Sequence, residues 1–180
     1  ELSDHLAGYP LKGLSEVHMM QDTSDRIVLA LEMDSFPGAR ATTRLRESLS
    51  VSGAVALVGH RQQLLWEQDY CLITIHKKTF RAAPASFFQA NLSLLPALIT
   101  EVLNCVNPAD NALELYSGAG LFSCMLAQKV KRLVCVEFNR EAARNAAFSL
   151  QTNAVQNVGI LQKSAECALE QLLRKDFVPD

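Results

Sequence analysis

The sequence is most informative at first for what it lacks. No run of eighteen apolar residues occurs anywhere in its 180 positions, which excludes a membrane-spanning helix. The five cysteines, Cys71, Cys105, Cys124, Cys135 and Cys167, form no CxxC pair, and no histidine lies at metal-ligand spacing from them. Neither a zinc site nor a disulfide framework is expected, and each thiol reads as a small core residue. An odd count without a framework favours the reducing cytoplasm. Charge of neither sign dominates: seventeen Lys and Arg face nineteen Asp and Glu, a net of −2, so global charge does not drive the chain onto nucleic acid or lipid. The opening Glu1-Leu2-Ser3-Asp4-His5 has no initiator Met, basic region or apolar stretch, so it reads as the interior of a longer chain rather than a signal peptide.

What is present is a globular composition. Hydrophobic residues make up 49% and charged residues 20%, with mean hydropathy +0.08, enough to bury a core in one large domain or two small ones. Charge is uneven along the chain. Residues 1–39 carry two basic and seven acidic side chains, whereas residues 40–85 carry seven basic and three acidic, a local net of +4. Arg40, Arg44, Arg46, Arg61, Lys77, Lys78 and Arg81 are therefore the candidate surface for a polyanion, set against an ordinary solvated strand face.

Two styles of pattern divide the chain near Pro84. Before it, the runs at 27–33, 51–58 and 72–76 are short and rich in β-branched or small residues, broken by Asp34-Ser35-Phe36-Pro37-Gly38 and by Gly59-His60. This part reads as strands and turns without helix, a small β-rich domain over residues 1–83. After it, Leu94, Leu95, Leu98, Ile99, Val102 and Leu103 repeat at helical spacing, with Asn91 available to cap the helix. Strand-like segments at 112–116, 133–136 and 158–161 then alternate with helical segments at 121–130, 140–151 and 165–175. Such alternation implies βαβ units and a parallel sheet, so the fold class is α/β over residues 84–180.

The first of these strands ends in Leu115-Tyr116-Ser117-Gly118-Ala119-Gly120-Leu121. Glycines at a strand-to-helix turn let the backbone bend sharply and approach a ligand, and free N–H groups at a helix start favour electronegative atoms. The next strand ends in Glu137, nineteen positions after Gly118, where an acid can accept both hydroxyls of a ribose. A dinucleotide fingerprint would need a third Gly or Ala where Ser123 stands, which weighs against a nicotinamide cofactor. Glu114 precedes Gly118 by four residues, so the pattern resembles the acid-x-x-Gly-x-Gly first motif of S-adenosylmethionine-dependent methyltransferases at close to its usual spacing.

Ala83-Pro84-Ala85-Ser86-Phe87-Phe88-Gln89-Ala90-Asn91, then a helix, then Leu113-Glu114-Leu115-Tyr116-Ser117-Gly118-Ala119-Gly120-Leu121-Phe122, resembles the S-adenosylmethionine-dependent RNA uracil-C5-methyltransferases. That family places a Phe-x-Gln-x-Asn element one helix before its glycine motif. The resemblance covers residues 84–167, is loose over 40–83 and does not extend to 1–39. It implies a Rossmann-like methyltransferase domain in its N-terminal half, a preceding β-rich domain that contacts tRNA or rRNA, and S-adenosylmethionine as cofactor. It further implies that Gln89 bonds the methionine part, that Tyr116 lines the pocket, and that Gly118 and Gly120 let the backbone pass beside the cofactor. Glu137 would hold the ribose and Glu166 would approach the adenine edge. Phe87 and Phe88 read as core. Ser117, Glu114 and Leu121 depart from the Cys, Asp and Asn frequent in the family, and the last removes one polar cofactor contact.

Methylating carbon 5 of uracil requires a thiolate to add at carbon 6 and a base to remove a proton. In the family both lie beyond an Asp-Pro-Pro-Arg-like element that this sequence does not reach, so no catalytic residue is assigned, no metal site is expected, and the chain by itself is expected to be inactive. A half-sheet with open edges is expected to self-associate. Two other readings stay open: a binding module that docks RNA through residues 40–85 without catalysis, and a nicotinamide-dependent oxidoreductase.

Overall fold

A computed structural model describes residues 13–180; the part of the β-rich expectation that falls on residues 1–12 lies outside them. By packing, the chain divides into two units, Glu1–Cys71 and Leu72–Asp180.

In the first unit β1 (Leu14–Gln21), β2 (Ile27–Met33), β3 (Gly53–Val58) and β4 (Arg61–Glu67) form one sheet in that order. β2 and β3 are parallel, and the outer pairs are antiparallel. Val28, Leu29, Ala30 and Leu31 are fully buried, as are Ala54, Val55 and Ala56. Burial of consecutive residues means that both faces of these central strands are covered. Between them runs α1 (Ala39–Ser48), which corrects the expectation of strands and turns alone. Its sequence, Ala-Arg-Ala-Thr-Thr-Arg-Leu-Arg-Glu-Ser, buries only Leu45. With three arginines in ten residues and few large apolar side chains, its apolar stripe is thin, so the helix stands out little in sequence. Leu45 and Leu49 pack into one cluster with Leu29, Leu31 and Trp66.

The second unit opens with a hairpin of β5 (Cys71–Ile75), whose first residue is the last of the first unit, and β6 (Lys78–Ala82). His76 and Lys77 both take left-handed φ, 49° and 63°, as a two-residue type I′ turn demands. β6 then docks on α4 (Arg140–Thr152). The Thr79 N–H donates to Asn153 Oδ1 at 2.9 Å, Asn153 Nδ2 donates to the Thr79 carbonyl at 2.7 Å, and the Arg81 N–H donates to Ser149 Oγ at 3.1 Å. Ser149 and Asn153 are four apart on one helix face, so they satisfy a strand edge that would otherwise be open. This seam is why the division falls after Cys71 and not at Pro84. It also corrects the charge reading. Arg81 is buried, paired with Glu141 at 3.3 Å and stacked 5.8 Å from the Phe148 ring, so it is no part of a polyanion surface. Lys77 and Lys78 lie in this unit, and Arg40, Arg44, Arg46 and Arg61 in the first.

The rest of the second unit is the α/β arrangement read from the alternation. β7 (Ala109–Leu115), β8 (Val130–Val136) and β9 (Val158–Leu161) form a parallel sheet in that order. Val134 and Val136 pack on one face with Ala168 and Leu172 of α5 (Ala165–Leu173), joined by Leu113, Leu115 and Leu161. On the other face Leu133 packs with Leu126 of α3 (Leu121–Leu126) and with Val102 and Leu103 of α2 (Leu95–Cys105). The pleat thus points Leu113 and Leu115 toward α5 and the alternate residues Ala112 and Glu114 toward α3. The helix expected over 121–130 ends at Leu126, because Val130 belongs to β8 and pairs with Ala109. Among the described residues no helix is long and apolar enough to cross a membrane.

Candidate cofactor site at the glycine turn

Between β7 and α3 the backbone turns through residues 116–120. Tyr116, Gly118 and Gly120 all take positive φ, 59°, 56° and 76°. For Tyr116 this is a costly conformation, held in place because the Ser117 N–H donates to the Val136 carbonyl at 3.0 Å and the Gly120 N–H to the Ser117 carbonyl at 3.0 Å. The two glycines serve different ends. A Cβ on Gly120 would lie 3.1 Å from the Ala146 Cβ of α4, so Gly120 is needed for close packing as well as for φ. A Cβ on Gly118 would meet nothing within 4 Å: there the turn faces open space.

Glu137 stands across that space at the carboxyl end of β8. Its Oε2 accepts the Gly118 N–H at 2.9 Å and its Oε1 accepts the Asn139 N–H at 2.7 Å. Asn139 in turn caps α4, its Oδ1 accepting from the N–H groups of Glu141 and Ala142 at 2.9 and 3.0 Å. The carboxylate is thereby fixed by backbone at both oxygens. A carboxylate offers about four acceptor positions, so two remain for a ligand. The expectation that the turn's amides would meet a ligand changes accordingly, since the Gly118 N–H goes to Glu137 and α3 has only six residues. Tyr116 and Phe138, each about 75% exposed, follow the ends of β7 and β8.

The other residues named from the sequence are placed as follows. Gln89 is half-buried in the segment between β6 and α2. That segment is tied down three residues earlier, where Asn145 Nδ2 of α4 donates to Ser86 Oγ at 3.0 Å. Asn145 and Ala146 are adjacent on α4, so one helix fixes both the Gln89 segment and Gly120. Phe87 is not core but 76% exposed, while Phe88 is half-buried. Glu166 lies exposed in the first turn of α5, where its own backbone N–H and the Ser164 side chain hold its carboxyl below the usual range. Its contacts are those of a helix start, with Ser164 Oγ accepting the Cys167 N–H at 3.4 Å.

Sequence reasoning missed what lies beneath the turn. Ser123 Oγ donates to Glu114 Oε2 at 2.5 Å, and Ser123 is completely buried. Burial pushes the Glu114 carboxyl up to about 7, against the opposing effect of the Ser123 hydrogen bond. Glu114 sits beside Cys135 in the β7–β8 register. Burial also pushes the Cys135 thiol up, and that of Cys124 to about 12. All five cysteines are free.

Two other features compete for attention and carry less chemistry. A groove of about 620 Å³ between α4 and β9, floored by Ala147, Leu150, Val158 and Ile160, has no titratable side chain in its lining. On β1 and β2 the groups of Glu16, His18 and Glu32 lie within 4.8 Å of one another. Glu16 and Glu32 are cross-strand partners, and His18 Nε2 lies 3.4 Å from Glu32 and 3.8 Å from Glu16, which is what two opposed carboxylates beside one imidazole produce.

Residues 33–176 match a family described as tRNA (Uracil-5-)-methyltransferase, reaching well upstream of the segment that carried the resemblance clearly. A tRNA/tmRNA (uracil-C(5))-methyltransferase of Aggregatibacter aphrophilus is 30% identical over 165 residues, which is 85% of this chain and 45% of that protein. An uncharacterized RNA methyltransferase of Oceanobacillus iheyensis is 27% identical over 158 residues, 87% of this chain and 34% of that one. In fold, the chain is similar to the Pyrococcus abyssi tRNA (uracil-54, C5)-methyltransferase solved in complex with S-adenosyl-L-homocysteine. The TM-score is 0.71 at 15% identity, over 89% of this chain and 45% of that one. The chain spans between a third and a half of the length of these relatives.

Proposed function

Since the chain belongs to the tRNA (uracil-5-)-methyltransferase family, we propose that its glycine turn binds S-adenosylmethionine and that it forms the cofactor-binding part of an enzyme methylating carbon 5 of a uridine in tRNA or rRNA. The observation that carries this reading is the Glu137 carboxylate, held by the Gly118 and Asn139 N–H groups at the end of the parallel sheet with acceptor capacity to spare. Two vicinal hydroxyls of a ribose fit that capacity. The open space beside Gly118 gives a ligand close access to backbone, and exposed Tyr116 supplies an aromatic wall.

When bound, the cofactor supplies a methyl group activated on a sulfonium. In this reading Glu137 orients it through the ribose, Gln89 bonds its methionine end, Gly118 and Gly120 leave room for it, and Glu166 borders the adenine. Asn139 joins them as a positioning residue, because it both donates to Glu137 and fixes the start of α4.

The acceptor side of the reaction needs a thiolate, and this chain offers none suited to it. Cys71 and Cys124 have thiols pushed up to about 11 and about 12, and Cys135 is raised too, all by burial. Exposed Cys105 closes α2, and exposed Cys167 is next to Glu166, where the base of the cofactor would lie. The chain alone therefore binds cofactor without making 5-methyluridine. RNA contact falls to the first unit, where Arg40, Arg44 and Arg46 are exposed along α1. Five free thiols suit a reducing, cytoplasmic setting.

Calorimetric titration with S-adenosylhomocysteine tests the reading. The chain should bind it, and Glu137→Ala should weaken binding by roughly ten- to a hundredfold, the scale of lost charge-assisted bonds. Equal affinity in the variant would overturn the assignment.

A further inference from the structure

The face of α4 that meets β6 carries polar side chains four residues apart: Asn145, Ser149 and, at the cap, Asn153. They engage the chain between β6 and α2 in turn. Asn153 bonds the Thr79 backbone, Ser149 accepts the Arg81 N–H, and Asn145 Nδ2 donates to Ser86 Oγ at 3.0 Å. The first two contacts satisfy the edge of β6. The third lies past that strand, in a turn over residues 83–86, where the Ser86 N–H and hydroxyl both donate to the Ala83 carbonyl, at 2.9 and 3.2 Å. Three residues further on stands Gln89.

Asn145 is a costly residue to bury at this place. It is completely buried among Ala142, Ala143 and Ala146 of the same helix, and among the described residues no group bonds its Oδ1. An interior amide with an unmet acceptor lowers stability where an apolar side chain would not. What the amide supplies in return is the bond to Ser86. Packing alone therefore does not account for Asn145, and the placing of the 83–86 turn does.

We propose that Asn145 is a positioning residue for the amino-acid end of the ligand: its bond to Ser86 sets the 83–86 turn and so holds Gln89 where it meets that end. The proposal rests on the reading of the glycine turn as the cofactor site and of Gln89 as a methionine contact. One helix then serves both ends of the ligand. Asn139 at its start fixes Glu137 for the ribose, and Asn145, less than two turns on, fixes the segment of Gln89. The two tasks are separable, because a ligand without an amino-acid end gains nothing from Asn145.

The test is calorimetric titration with S-adenosylhomocysteine and with 5′-methylthioadenosine, which share the nucleoside and the sulfur and differ in the amino-acid end. The unaltered chain should bind S-adenosylhomocysteine at least about tenfold more tightly. Asn145→Ala and Ser86→Ala should each weaken it about three- to tenfold, the scale of one neutral hydrogen bond, and leave 5′-methylthioadenosine unchanged. The double variant should be no weaker than either single one, since both remove the same bond. Asn153→Ala, at the far end of the seam, should bind both ligands as the unaltered chain does. Equal weakening of the two ligands, which general loss of packing against Gly120 would give, overturns the proposal, as do additive losses or full affinity in Ser86→Ala. If the unaltered chain binds the two ligands alike, the role of Gln89 fails and the proposal with it. If it binds neither, the cofactor assignment fails, and chymotrypsin decides whether Asn145 holds the segment. Cleavage after exposed Phe87, read by mass, should quicken several-fold in Asn145→Ala and Ser86→Ala but not in Asn153→Ala. Equal rates in all four chains overturn the anchoring role.

Discussion

Glu137 and Glu114 flank one turn from opposite sides, and the contrast between them explains how a strained loop can be both open and fixed. Glu137 lies on the side that faces solvent, accepts two backbone N–H groups and retains acceptor capacity. Glu114 lies on the side that faces α3, bonds one buried hydroxyl, and is forced toward its neutral form. The same residue type does different work because one carboxyl is met by backbone donors and the other by apolar helix and thiols. On this view the outer carboxylate recognises a ligand and the inner one holds the backbone in the shape that recognition needs.

The largest effect that would sharpen this contrast is on stability. Glu114 has an ordinary value of 4.5 raised to about 7, so the folded chain holds this proton more tightly than the unfolded one. The stability gained is full below about pH 4.5 and is lost as pH rises through about 7, a swing on the order of 3 kcal/mol. Urea titrations across that window should show this decline and should show it largely removed in Glu114→Gln. An equal decline in the variant would mean that another group is responsible.

Next in size is Gly120→Ala. It places a Cβ at φ +76° and 3.1 Å from Ala146, and thermal unfolding should register a loss of about 1–3 kcal/mol. Gly118→Ala has equal strain in φ but no neighbour to strike, so its stability loss should be smaller, about 1 kcal/mol, while its effect on ligand binding should be the greater of the two. Reversal of that order would break the division of labour between the two glycines.

Further from the turn, Asn153→Ala removes bonds to the Thr79 N–H and carbonyl, leaving the edge of β6 short of partners. Denaturation should show a loss of about 1–2 kcal/mol with cofactor affinity unchanged. The smallest effect concerns association. Leu94 at the start of α2, Leu98 on it, and Leu173 and Val178 near the chain end are exposed, and β7 and β9 are the outer strands of their sheet, β7 meeting Asp180 only at Asp110 and Asn111. Light scattering should show concentration-dependent growth in mass.

How far the sequence revealed these regions follows from the range over which each signal acts. β2, β9 and the core of β8 are plain as apolar runs, and the Gly118–Glu137 spacing marks the outer side of the turn, because both residues stand at strand ends that are set locally. α1 is hidden because its apolar stripe is thin, and the position of β6 is hidden because its edge is satisfied by Ser149 and Asn153, more than sixty positions away. The inner side of the turn is hidden differently. In sequence Ser123 is only a small residue in a glycine pattern and Glu114 only a motif acid, yet each is explained by the other across a turn that reverses the chain. A polar pair of this kind has no periodicity, and only the fold brings it together.

The central claim is that the space beside Gly118 and Glu137 is the cofactor site. Amide NMR of the ¹⁵N-labelled chain during titration with S-adenosylhomocysteine tests it most directly. The account predicts that the largest saturable shifts fall on residues 116–120 and 137–139, with Gln89 following. Shifts centred on the groove between α4 and β9, on the first unit, or nowhere would contradict it.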